Sequence, residues 1–222
     1  LPLNGYQLPG AGAPKEPIFS AVTSQVLEKW FQEERPDYPN FSQLNNPVTF
    51  DNFHRMIRQA LVKISNPLQS NRDGEGILAG LGLWVPGQLD YQHSPYARNI
   101  LRMLEERDGK VINRDEMLEC IHDPTQLWIS KDFGIEAELE FLVLATLAAL
   151  GELEIVLFSG KCINSNNLDD LPTLDSEDDT RFSSVWPTNG INAIALRDMF
   201  VTLIGHDHRK YLKAPGTFSK MG

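Results

Sequence analysis

The chain has 222 residues, of which 41% are hydrophobic and 23% charged, and its formal net charge is −10. That length and mixture describe a soluble globular chain able to bury a sizeable core. The longest apolar run, Phe141 to Leu150, is too short to span a bilayer, and no secretory leader pattern is present. Two cysteines, Cys120 and Cys162, both in apolar settings, read as reduced thiols of a cytoplasmic protein.

In chain order, LPLNGYQLPGAGAPKEP reads as a Pro/Gly-rich linker at the front of a piece of a longer protein. Val22, Val26, Leu27, Trp30 and Phe31 recur at helical spacing and predict a helix over Ser20 to Glu34, which Pro36 ends. RPDYPNF should be extended, with its rings packed on the core. A second helix is expected over Thr49 to Ser65, capped by Thr49, with Phe50, Phe53, Ile57, Ala60, Leu61 and Ile64 as its apolar stripe. Arg55, Arg58 and Lys63 lie off that stripe, on a solvated basic face. NPLQSNRDGEG reads as a polar loop and ILAGLGLWVPG as a short helix.

Ser94 and Pro95 open a clear helix through Glu106, with Tyr96, Ile100, Leu101 and Leu104 inward. Val111-Ile112 is a short strand, and Asn113 caps a helix through Ile121. His122 to Phe133 is a loop. The long helix Ile135 to Leu150 stops at Gly151, and Glu154 to Phe158 turns through Ser159-Gly160 into Lys161 to Ile163. DDLPTLDSEDDTR reads as a solvated acidic loop and VWPTNG as a turn. Asn192 caps a last helix, Ala193 to Ile204.

Helix, short strand, two helices and a hairpin is the order of a winged helix. The expected class is therefore mainly α with a small β-hairpin, helical segments surrounding a winged helix-turn-helix. Residues 1–92 form a linker plus helical segment, 93–171 the winged-helix-like domain, and 172–222 an acidic loop and C-terminal helix.

Phosphate and metal chemistry find no support. Gly80-x-Gly82 has Val85 where a dinucleotide fingerprint needs glycine. Ser159-Gly160-Lys161-Cys162 has Ile155 where a phosphate-binding loop needs its first glycine. The five histidines and two cysteines show no second pair at ligand spacing, and no hydrolase or metalloprotease motif occurs. No catalytic residue, cofactor site or metal site is assigned.

Charge opposes DNA readout. Residues 91–160 carry 6 basic and 13 acidic side chains, and the helix that would enter the groove begins with Glu136, Glu138 and Glu140. Its other positions are almost wholly apolar and need cover on most faces. The expected role is protein contact through Phe141, Leu144, Leu147 and Phe158, although burial in the chain's own core is the plainer reading of each. The alternative is a module contacting DNA phosphates through Arg55, Arg58 and Lys63, or Arg98, Arg102, Lys110 and Arg114, with Lys161 on the wing.

RPDYPNFS (35–42), SPYARNIL (94–101), GKVINRDEML (109–118), VLATLAALGELEIVLFSGKCINSNNLDDL (143–171) and INAIALRDMF (191–200) together resemble the PglY-like large P-loop ATPases of the BREX and phage-growth-limitation defence systems of bacteria. The resemblance implies a non-catalytic segment of such an ATPase, whose P-loop lies elsewhere in the protein. It also implies a cytoplasmic setting, with other domains or subunits of the defence system as partners; the short apolar run argues against a membrane, and the net charge of −10 disfavours DNA.

Overall fold

The structure, a computed structural model, describes residues 26, 29–31, 33–41, 44, 47–108, 110–122, 127–174 and 182–188. The chain divides into two compact units, Leu1–Tyr38 and Pro39–Gly222. In the first, residues 26, 29–31 and 33–34 are helical, and the Phe31 and Tyr38 rings meet edge to face at 5.0 Å. The expected helix at Ala193–Ile204 lies outside the described residues.

The second unit begins with α1 (Phe53–Ser65). Thr49 lies in a turn ahead of it, its amide donating to Asn52 Oδ1 at 2.8 Å, and Asn52 holds the cap position. Met56, Ile57, Ala60, Leu61 and Ile64 make the buried stripe. Phe50 does not join that stripe; at 93% exposure it stands in solvent, because the helix starts three residues after it. Helix α2 (Arg72–Gly80) takes in RDGEG, where the sequence pattern places a loop. Asn71 caps it, accepting from the Gly74 amide at 3.0 Å. Trp84–Val85 (β1) and Gln88–Leu89 (β2) form a two-residue hairpin.

Helix α3 (Pro95–Glu106) has the expected Ser94 cap and a proline in its first turn, and buries Tyr96, Ile100 and Leu104. After β3 (Ile112–Asn113), helix α4 lasts one turn, Arg114–Met117. The Asn113 amide donates to Glu116 Oε1 at 2.9 Å. The chain then goes extended as β4 (Leu118–His122), paired antiparallel with β5 (Leu127–Ser130). The expected helix to Ile121 and loop to Phe133 are thus replaced by a hairpin.

Helix α5 (Ala137–Ala149) is the hub. Leu139, Phe141 to Ala145, Leu147 and Ala148 all lack exposed surface. It packs against α1, α3, β5 and β6, which is how a helix apolar on every side is satisfied. Gly151 (φ +81°) ends it: the Gly151 amide donates to Ala148 O at 3.1 Å and the Glu152 amide to Leu147 O at 2.9 Å. This paired closure needs a left-handed residue that glycine adopts without strain.

Strands β6 (Leu153–Leu157), β7 (Cys162–Ile163) and β8 (Phe182–Pro187) join β3 in an antiparallel sheet of order β3-β8-β6-β7. This corrects the expected class. The fold is not mainly α with one small hairpin around a winged helix; the described residues carry three antiparallel sheets, one of them four-stranded. The expected wing, β6 and β7, is one side of that larger sheet, and β8 supplies its centre. The acidic loop is also corrected over its first residues: Leu168–Thr173 is a 3₁₀ helix, with Leu168, Leu171 and Leu174 buried. Among the described residues no helix is long and apolar enough to cross a membrane.

Candidate interaction face

Two rows of residues run across the four-stranded sheet, one step apart. Ile112, Val185, Ile155 and Ile163 lie side by side in register, all without exposed surface. They form the face turned to the core, where the Phe182 and Phe141 rings approach at 6.5 Å. The next row is Asn113, Ser184, Val156 and Cys162, on the opposite face because side chains alternate along a strand.

On that outer face Trp186 sits opposite Glu154 and is 49% exposed. Its indole N–H donates to Ser184 Oγ at 3.0 Å, which fixes the ring over the sheet. Phe158, first residue beyond β6, is 66% exposed. Between and beside them, Cys162 Sγ donates to Glu154 at 3.5 Å, and Asn164 Nδ2 donates to Glu154 Oε1 at 3.3 Å. Asn167 donates to Cys162 O. Partial burial raises the Cys162 thiol above its usual range, and the neighbouring Glu154 carboxylate adds to the shift. A thiol so placed stays protonated and is a poor nucleophile. Lys161 closes the edge, 3.1 Å from Asp170.

The expected contact residues separate. Phe141, Leu144 and Leu147 are enclosed in α5's own surroundings and offer a partner nothing; Phe158 alone is at the surface. The expected basic sites also disperse. Lys63 is not on a solvated face: it is 2% exposed, 2.6 Å from Glu75, donates to Gln69 O at 2.7 Å and lies 4.5 Å from the Trp84 ring centre. Arg114 is 8% exposed with its guanidinium 3.7 Å from the Trp128 ring centre. Arg55 pairs with Asp73 at 2.9 Å and Arg102 with Glu106. Arg58, Arg98 and Lys110 are exposed, on α1, on α3 and just before β3.

Nor do Glu136, at the cap of α5, and Glu138 and Glu140 in its first turn form an acidic surface. Glu140 is 4% exposed, and burial, with the Asp132 charge second, pushes its carboxyl up to about 8. Burial also raises Glu138. By contrast, the hydrogen bond from Arg107 lowers Glu116. Among the described residues no group of three or more His, Cys, Asp or Glu is placed to share a metal ion.

Trp186 is the residue sequence reasoning missed. Its neighbour Pro187 and the glycine soon after make VWPTNG resemble a turn. The usable signal was the preceding FSSVW, a β-branched and aromatic run.

A family model described as "Family of unknown function (DUF6079) 4th domain" matches residues 53–186. The chain belongs to this family. The matched span opens on the first residue of α1 and closes on Trp186 in β8, so this DUF6079 fourth domain includes α5 and the whole four-stranded sheet. No curated protein and no solved structure matches the chain.

Proposed function

We propose that this DUF6079 fourth domain is a non-catalytic interaction module of a bacterial phage-defence ATPase of the PglY-like, BREX-associated kind. On this reading it acts in the cytoplasm, and it contacts another domain or subunit of that system through the outer face of its four-stranded sheet. The observation that carries the contact is the exposure of Trp186 and Phe158 on a sheet whose inner row is fully buried. Exposed tryptophan held by a hydrogen bond is the side-chain type that dominates binding energy at protein interfaces. The defence-system context rests on the sequence resemblance; the family description, which counts this as a fourth domain, supports a multidomain parent.

The test is titration of the 222-residue chain against the remaining domains of the parent ATPase, with W186S and F158S variants and a duplex DNA control. Binding that either substitution weakens by about tenfold or more, the size of a hot-spot loss, is the expected result. Binding only to DNA, with an affinity falling steeply in salt and indifferent to Trp186, would replace this reading with phosphate contact.

A further inference from the structure

A carboxyl group closed off from water in an apolar helix needs a reason, and Glu140 has no obvious one. It is 4% exposed, in the first turn of α5, and among the described residues its Oε2 has no hydrogen-bond partner. One group of the right kind does reach it. The hydroxyl of Ser130, itself 2% exposed, hydrogen-bonds to the carboxyl.

The charged and titratable neighbours come from each side. The corner between β5 and α5 contributes Asp132, whose charge bears on Glu140. From α3, Asn99 Nδ2 donates to Asp132 and holds it there. Glu136, at the cap of α5, and Glu138, in its first turn, are half-buried. The charge of His54, from α1, bears on Glu138. Strand β6 turns Leu153, Ile155 and Leu157 inward. No cation is among these groups at Glu140; the Ser130 hydrogen bond favours the ionised carboxylate, but burial and the Asp132 charge outweigh it.

The same residues build a tight backbone corner. The Ser130 amide donates to Ile135 O at 2.8 Å, and the Gly134 amide donates back to Ser130 O at 2.8 Å. Ile129 bridges Glu136. The Lys131 amide donates to Met117 O at 2.9 Å, tying the corner to α4. Moving the Ser130 backbone away from Glu140 breaks this closure and loosens the β4–β5 hairpin from α5.

We propose that the buried Glu140 and Ser130, with the exposed Asp132 beside them, form a proton-binding site that clamps the β5–α5 corner. The corner is closed while Glu140 carries its proton. When the proton leaves to solvent, the carboxylate must be hydrated, and the corner opens to admit water. Asp132 sharpens the response, because a second carboxylate beside Glu140 favours the protonated form. This site is independent of the outer sheet face, and the hairpin it releases carries the exposed Ile121 and Leu127.

Two measurements test it on the 222-residue chain. The first follows the side-chain carboxyl carbon of Glu140 by NMR through a pH titration. It should titrate near 8, with D132N moving the midpoint down. The second follows hydrogen exchange at the Ser130 and Gly134 amides, corrected for the intrinsic rate. Protection should fall by about tenfold per pH unit between about pH 5 and pH 8 and level off above that, because the open form releases a proton that the closed form keeps. E140Q should abolish that slope. A Glu140 that ionises near the ordinary 4.5, or an E140Q chain with the wild-type slope, would overturn the proposal. If E140Q does not fold, the carboxyl titration of the wild-type chain decides alone.

Discussion

Two ionisable side chains in the core reach opposite accommodations. Lys63 assembles partners around its amino group: the Glu75 carboxylate, the Gln69 carbonyl and the face of Trp84. Removing the ammonium leaves that carbonyl short of its donor and the indole without its cation. K63M, which keeps the buried stem, should therefore cost about 1–3 kcal/mol by urea unfolding. R58A on the exposed side of the same helix should stay within about 0.5 kcal/mol of wild type. Glu140 has no counter-charge and stays neutral instead. Its folded value of about 8 lies above the ordinary 4.5, so between those two pH values the folded chain holds a proton that the unfolded chain has lost. Stability therefore falls as pH rises through that window, by on the order of a few kcal/mol in total, and is flat above and below it. E140Q, which is neutral at every pH, should show no such decline. Equilibrium unfolding of both chains at about pH 5 and about pH 9 checks the sign, since repulsion among surface carboxylates alone would act on both equally.

At the scale of elements, close helix packing explains a segment that local pattern misreads. A side-chain carbon on Gly74 would stand 2.5 Å from Gln59 O and 3.0 Å from Lys63 Cβ. Helices α1 and α2 therefore touch backbone to backbone, and the glycine is what permits it. In an open helix Gly→Ala gains about 1 kcal/mol. Here the obstructing atoms belong to a buried helix backbone, so G74A should instead lose about 1–3 kcal/mol, as overpacking does. Thermal unfolding of G74A decides which effect wins. The same site shows why RDGEG reads as a loop: its glycines signal flexibility locally and proximity only when the partner helix is known. Elements with strong local chemistry are legible. The Ser94-Pro95 start of α3 and the Gly151 stop of α5 are both where the sequence puts them. Strand β8 is illegible for the opposite reason. Its partners Ile112 and Ile155 are distant along the chain, and no neighbour in sequence announces them. Trp186 on the outer face is lost with it. Phe158 is legible because it follows β6 in a hairpin with an obvious Ser-Gly turn.

For the whole Pro39–Gly222 unit, α5 sets the limits of what can fold. One side of it rests on α1, and another on β6, which is itself held by β8. A piece running from 93 to 171 would keep α3, α4, the β4–β5 hairpin, α5, β6 and β7. It would lose Ile57, Leu61 and Ile64 of α1 from one flank and Phe182 and Val185 of β8 from the other, all of them fully buried. The α5, β3 and β6 side chains they cover would face water instead, and each side chain so exposed forfeits about 1.5–3 kcal/mol, while net stabilities of domains are only about 5–15 kcal/mol. Uncovering both flanks therefore costs on the order of a small domain's whole reserve. The fragment 93–171 should therefore show poor amide dispersion by NMR and no cooperative melt, whereas 39–222 should melt cooperatively. Adding residues 172–188 to the short fragment restores the sheet but not the α1 flank, so it should regain strand signal without a sharp transition. A cooperative melt of 93–171 would mean instead that α5 tolerates two bare flanks, and that α1 and β8 are cover for a core already complete without them.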